Sequence, residues 1–173
     1  MTVALRTYGI FYNGYIKGAI SYSRAAVHLN TLFDSLEEKY IYHLARFWVS
    51  DDLPKNTESK TLALSLRFIQ KNGAKACVSY ADEGQGHIGT IYQACGFLYT
   101  GISQKRSFQI GDKIIHGKTL YNICGTSGIK KLRERGLSVS IIKNAPKHRY
   151  IKIFDPSIKL LIPVLPYPKK LFK

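Results

Sequence analysis

Between Asp82 and Tyr92 a carboxylate, an imidazole and a phenol follow one another through a run of glycines, Asp82-Glu83-Gly84-Gln85-Gly86-His87-Ile88-Gly89-Thr90-Ile91-Tyr92. His87 can take or relay a proton near neutral pH, where imidazole titrates, and Asp82 can orient that ring or bind a metal. Tyr92 carries a phenol that stays protonated at neutral pH, its ordinary pKa being about 10. Gln85 can hydrogen-bond a base edge or an amide, and Gly84, Gly86 and Gly89 allow backbone to come close to a ligand without following a phosphate-loop spacing. A plainer reading stands beside this one: Asp82 caps the next helix, His87 packs in its first turn, and Tyr92 fills the core face of an amphipathic helix.

The surrounding pattern says what must position these groups. Ala74–Ala81 reads as a short apolar strand, Asp82–Gly86 as a loop at its end, and His87 to Cys95 as a helix, with strand again over Phe97–Gly101. Loops at strand ends are where α/β folds place ligands. A facing wall is expected from Asn56, Thr57 and Ser59, which open a helix whose Leu62, Leu66 and Ile69 recur at helical spacing until Asn72-Gly73 ends it. Ser or Thr there is ordinarily a cap; Asn56 is also suited to the paired hydrogen bonds that adenine accepts and donates.

Upstream, Leu5–Tyr12 and Tyr15–Ser23 are β-rich around Asn13-Gly14, a strong hairpin signal. Thr31–Lys39 is expected to form a short helix and Ile41–Val49 a buried strand. Downstream, strand is expected over Ile114–Ile123, helix over Ile129–Arg135 and strand over Val139–Ile142 and Tyr150–Phe154. An extended tail carries Pro156, Pro163, Pro166 and Pro168. The order gives a mixed α/β (α+β) sheet in one domain, residues 1–101 forming the core and 102–173 a basic extension.

Charge divides the chain. Through residue 100 there are 10 basic and 8 acidic residues; from Gly101 onward there are 16 and 3, which accounts for +13 of the total +15. Such asymmetry points to a polyanion. No stretch reaches the roughly 20 consecutive apolar residues of a membrane span. The opening residues do not read as a secretory signal, and three scattered cysteines do not make a disulfide framework. A cytoplasmic enzyme is expected.

Thr90-Ile91-Tyr92-Gln93-Ala94-Cys95-Gly96-Phe97 resembles the Tyr-x-x-x-Gly-Phe signature of GNAT-type N-acyltransferases. The longer stretch Asp82–Ala94 resembles the Mom family of phage DNA-modification proteins. So do Phe47-Trp48-Val49, Pro54-Lys55-Asn56-Thr57-Glu58-Ser59, Leu98-Tyr99-Thr100-Gly101, Pro146-Lys147-His148-Arg149-Tyr150 and Pro163-Val164-Leu165-Pro166-Tyr167-Pro168. The resemblance implies a GNAT-like fold, a mostly antiparallel central sheet flanked by helices. It also implies conversion of adenine in duplex DNA to an N6-carbamoylmethyl form that shields phage DNA from restriction, carried out in the host cytoplasm. It makes Tyr92 the proton donor to a departing thiolate, with His87 and Asp82 beside it and Asn56, Thr57, Ser59, Gln85 and Gly86 around the donor. That donor is acetyl-CoA or another activated glycine-like molecule. One departure is plain: the glycine-rich pyrophosphate loop of GNAT enzymes is replaced here by Pro54–Ser59, without a glycine, so that side chains obstruct backbone approach to phosphate.

Candidate phosphate contacts are Lys105 and Arg106, then Lys130, Lys131, Arg133 and Arg135, then Lys147, His148 and Arg149; such contacts set position and affinity without reading sequence. Tyr80, Phe97 and Phe108 are candidates to stack on an extruded base. His28, His43, His87, His116 and His148 lack the spacing of a strong metal site, so a metal stays unassigned. Two other classes use the same residues differently: an acyl-CoA-dependent transferase acting on a small amine or protein, and a DNA-binding accessory protein without activity.

Overall fold

The computed structural model describes residues 4–24, 28–103 and 106–169. Strands β1 (Ala4–Tyr12) and β2 (Tyr15–Ser23) form an antiparallel hairpin. Its two turn residues, Asn13 and Gly14, both sit at positive φ (49° and 83°), the geometry whose twist matches that of the flanking strands. Strand β3 (Ile41–Val49) pairs antiparallel with β2. Helix α1 (Thr57–Lys71) then carries the chain to β4 (Ala76–Asp82), which lies parallel to β3. After the short helix α2 (Thr90–Ala94) comes β5 (Leu98–Ser103), and much later β9 (Lys147–Ile153). The sheet runs β1-β2-β3-β4-β9-β5.

Its central strands are apolar on consecutive residues because both faces are covered. Successive side chains point to opposite faces. Tyr42, Cys77 and Tyr150 join Leu62, Leu66 and Ile69 of α1 in one core, while their neighbours Ile41, Ala76, Val78 and Ile151 join Leu29, Phe33 and Leu36 in the other. The first core holds a buried polar pair, Tyr22 Oη and Ser65 Oγ at 2.6 Å. Ser65 spends its own proton on the Leu62 carbonyl, so Tyr22 is the donor between them. The proline-rich tail lies along β5, with the Leu165 amide donating to the Tyr99 carbonyl and the Tyr167 hydroxyl to that of Phe97.

The chain divides into two compact units, Met1–Gly101 with His148–Lys173, and Ile102–Lys147. After the second unit the chain returns as β9 to a place between β4 and β5 in the main sheet. The second unit is an insertion built on β6 (Arg106–Ile110), β7 (Lys113–His116) and β8 (Val139–Lys143), in the order β7-β6-β8, with α3 (Gly117–Cys124) and α4 (Ile129–Glu134). Its own core is Phe108, Leu120, Leu132 and Val139.

Two expected elements change. Thr31–Lys39 is no helix; only short 3-10 turns occur, at Leu29–Leu32 and Glu38–Tyr40, separated by Ser35 at φ 55°. The strand expected over Ile114–Ile123 stops at His116, whose ring accepts from the Lys118 amide and so caps α3. Leu120 is the buried residue of that helix, and Cys124 packs one turn later against the same core.

Burial pushes the phenols of Tyr8, Tyr22, Tyr80, Tyr92, Tyr99 and Tyr150 above their usual ionisation range. The folded state therefore holds these protons more tightly than the unfolded chain. Their contribution is intact below about pH 10, where unfolded phenols begin to ionise, and is lost as pH rises toward the folded values. Thermal melts followed alongside tyrosinate absorbance should show stability falling above about pH 10, with the Tyr22 class titrating only on unfolding; free titration of every phenol before unfolding would contradict this packing.

Candidate active site

Strands β3 and β4 share backbone pairs at Ile41–Ala76, Tyr42–Cys77 and His43–Val78. Beyond these pairs the two strands part, and a cleft of about 720 Å³ opens between them. Leu44, Ala45, Arg46 and Phe47 form its β3 wall and Tyr80, Ala81 and Asp82 its β4 wall; Glu58 of α1 reaches it, and residues 85–92 close it.

Asp82, Gln85, Gly86, His87 and Tyr92 are thus brought into one cavity. Asp82 accepts from the Gly84 amide, and its carbonyl accepts from the amide of His87. Both bonds fold residues 83–86 into a tight turn that leaves His87 exposed at the rim. The helix expected from His87 begins only at Thr90, because Gly86 and Gly89 both adopt left-handed backbone (φ 72° and 82°). Tyr92 is half-buried, its ring packed on Phe97 and Tyr150 at 5.4 and 5.3 Å. Burial raises its pKa and the Ser79 hydroxyl offsets this in part, so the phenol keeps its proton throughout the neutral range.

Tyr150 fixes this whole wall. Its hydroxyl donates to the Ile88 carbonyl and accepts from Gln93 Nε2 at 3.0 Å, tying the loop to α2. A Cβ on Gly89 would stand 2.3 Å from the Tyr150 ring. Below α2, Lys152 Nζ donates to the Cys95 and Gly96 carbonyls, and Cys95 Sγ donates to the Ser59 carbonyl of α1.

The other predicted wall is arranged differently from the expectation. Thr57 and Ser59 donate their hydroxyl protons to the Pro54 and Asn56 carbonyls, so they tighten the start of α1. Asn56 sits at the N-cap in left-handed backbone (φ 69°) with no side-chain cap bond. Asn tolerates that conformation better than most non-glycine residues. The loop therefore keeps the bend a glycine would have given, and α1 presents an uncapped N-terminus flanked by Lys55 and Lys60. Helix starts of this kind attract anions, which offsets the missing glycines in part, although Asn56, Thr57 and Ser59 do not line the cleft and Glu58 of the same turn does.

Several predicted contacts move. His148 is buried, bonded through Nδ1 to Tyr99 Oη at 3.0 Å and 3.6 Å from Glu83 Oε2; its position on an inner strand removes it from any surface role with phosphate. Arg149 is half-buried and forks onto Thr100 through Nε and a terminal nitrogen, with its charge felt at Tyr80. Phe97 and Phe108 are core residues, one in each unit; of the three suggested stacking rings only Tyr80 lines the cleft. Lys130, Lys131, Arg133 and Arg135 are exposed on and after α4, although Arg133 and Arg135 also donate to the Val139 and Cys124 carbonyls. Lys147 is half-buried. Lys105 and the side chain of Arg106 lie outside the described residues. Arg46 and Glu58, charged groups of the cleft, escaped the sequence reading; the signal for Arg46 was a guanidinium within a strand of otherwise apolar and aromatic residues. Among the described residues no group of three His, Cys, Asp or Glu side chains is placed to hold a metal, and no helix is long and apolar enough to cross a membrane.

Against known proteins, the sequence profile of the Mom protein family matches residues 2–169. The methylcarbamoylase mom of Escherichia phage Mu is 27% identical over 139 residues, covering 73% of this chain and 55% of that protein. The chain thus spans about half the length of this curated relative. Among solved structures, an acetyltransferase of Bacillus subtilis in complex with CoA superposes with a TM-score of 0.50 at 13% identity, over 86% of this chain and 76% of that one. A Bacillus anthracis protein described as a streptothricin acetyltransferase, in complex with acetyl coenzyme A, gives 0.48 at 11% identity, over 86% and 62%. The fold is that of the GNAT acetyltransferases, a mixed and mostly antiparallel sheet.

Gly86 and Gly89 separate two physical effects at this site. Gly86→Ala meets open space and should cost only the roughly 1–2 kcal/mol of left-handed backbone. Gly89→Ala should lose about 1–3 kcal/mol more through overpacking against Tyr150. Denaturant unfolding measures both; equal losses would mean that the Tyr150 contact does not position the loop.

Proposed function

The chain belongs to the Mom protein family, and from that membership we propose that it transfers a glycine-derived, carbamoylmethyl-type group to N6 of adenine in duplex DNA, protecting phage DNA from restriction in the host cytoplasm. The observation that carries this reading is the cleft between parted strands of an acetyltransferase-type sheet, where a proton-bearing phenol and an exposed imidazole share one cavity.

The lone pair of an exocyclic amine is delocalised into the purine ring, so N6 is a weak nucleophile that must shed a proton as its new bond forms. His87, exposed at the rim, is the group that takes it. Tyr92 holds the complementary proton at Oη, available to a departing thiolate, and burial keeps that proton in place at working pH. Asp82 holds the turn that sets the position of His87. Gln85, exposed in the same loop, is placed to donate to a carbonyl or a base edge. Tyr80 offers the ring on which an adenine in the cleft would stack.

The donor is a CoA thioester or another activated glycine-like molecule. The first turn of α1 with Lys55 and Lys60 would hold its diphosphate. Attack of N6 on a thioester carbonyl expels the thiolate and gives the glycyl amide, whereas the carbamoylmethyl product needs a donor whose leaving group departs from the methylene carbon. In either case Tyr92 would give its proton to the group that leaves. An amide through the glycine carboxyl and a bond through its methylene carbon give adenine adducts of the same mass, so fragmentation of the modified nucleoside identifies which atom is joined. The second unit, in which residues 102–147 carry 10 basic and 2 acidic side chains, is a candidate for phosphate contacts, enough to make binding strongly salt-dependent.

Plasmid DNA from cells producing the protein, digested to nucleosides and analysed by mass spectrometry, should contain an adenine adduct of glycine-derived mass. Tyr92→Phe and His87→Ala should lower its formation by roughly 10²–10⁴-fold while leaving duplex affinity unchanged. Unaltered adenine with the wild-type protein would remove the proposal, and normal yields from both variants would remove these residues from it.

A further inference from the structure

At the far end of the sheet the β1–β2 hairpin projects past the last paired residues of β2 and β3, Gly18 and Val49. Its tip is apolar on both faces. Phe11 pairs with Ile16 and Tyr12 with Tyr15, and these side chains are 68, 63, 45 and 73% exposed. Trp48, opposite Ala19 at the base, is 62% exposed. Scattered exposed hydrophobics are ordinary, but a contiguous group of this kind marks a contact surface.

The tip is held in place. The Ser50 amide donates to the Lys17 carbonyl, and Lys17 Nζ meets Asp52 Oδ2 at 2.5 Å, bracing the hairpin against the turn after β3. Ile20, paired with the cleft residue Phe47, stands five residues from Tyr15, about 16 Å at a strand rise of ~3.3 Å per residue. That is less than half of the roughly 34 Å turn of a duplex, so tip and cleft can reach the same site on DNA.

We propose that this hairpin tip is a wedge that enters the base stack and occupies the space left by the adenine presented to the cleft. The inference rests on the DNA-adenine reading above. Base-flipping and kinking proteins insert apolar side chains between base steps in this way, and planar rings suit that place because every base offers a π-face. Position selects this partner over a second copy of the chain: the tip stands less than half a duplex turn from the cleft that would take the base, and a dimer through this surface is an outcome of the test.

The test combines Tyr12→Ala and Tyr15→Ala with Phe11→Ala in the full chain, unchanged melting confirming the fold. Two duplexes are used, one intact and one with the target adenines opposite abasic sites, and a third carries fluorescent aminopurine in place of adenine. Wild type should raise aminopurine fluorescence on binding. The variant should bind equally tightly, fail to raise fluorescence and modify intact duplex at least about tenfold more slowly, because unstacking is no longer compensated. It should modify the abasic-opposed adenines at the wild-type rate. Equal loss on both duplexes, an unchanged fluorescence rise, or a wild-type dimer that the variant converts to monomer would each overturn the wedge. Wild type that unstacks aminopurine yet leaves both duplexes unmodified would instead overturn the adenine reading.

Discussion

A tyrosine hydroxyl on an inner strand decides where the candidate chemistry sits. Tyr150, fully buried, gives its proton to the Ile88 carbonyl and takes one from Gln93, while its ring lies against Gly89 and Tyr92. A buried carbonyl without a partner is costly, so the loop after β4 has one favourable place to run, over the face of that ring. Gly89 is required there twice, for its left-handed backbone and for its missing side chain. Thr90 then starts a short helix, and Tyr92 comes to rest between Phe97 and Tyr150 as one of the residues lining the cleft. Moving Tyr150 would displace the loop, the helix and the phenol together.

The same strand explains how a compact core accommodates so basic an insertion. The second unit leaves after β5 and the chain comes back as β9, which fills the slot between β4 and β5. His148, Tyr150 and Ile151 are buried there, and His148 joins Tyr99 on the next strand to Glu83 at the cleft loop. Most of the cationic excess is consequently carried by a unit with its own small core, Phe108, Leu120, Leu132 and Val139.

Asn56 shows how one conformation can be reached by different residues. A diphosphate-binding helix start needs open amides and a sharp bend before them. Glycine supplies the bend most cheaply, but Asn at φ 69° supplies it too, and the hydroxyls of Thr57 and Ser59 turn back to carbonyls instead of capping the amides. The absence of glycine from Pro54–Ser59 therefore says less about anion binding than it does when the residues are read as a string.

Local physics was legible in the sequence wherever it was decided within a few residues. Asn13-Gly14 forces a hairpin turn, the spacing of Leu62, Leu66 and Ile69 forces a helix face, and the apolar run before Asp82 forces a buried strand; all three stand as read. The gathering of Asp82, Gln85, Gly86, His87 and Tyr92 around one cavity was legible for the same reason, since they lie on one loop and the helix after it. Tertiary structure alone decided what depends on distant partners. It set the parting of β3 from β4 after three pairs, which makes the cleft and brings Arg46 and Glu58 into it. It also set the return of β9, which turned His148 from a surface cation into a buried link and Arg149 into a half-buried one. A residue type fixes which bonds a side chain can make, but burial and long-range pairing fix which of them it does make, and neither is a property of neighbouring letters.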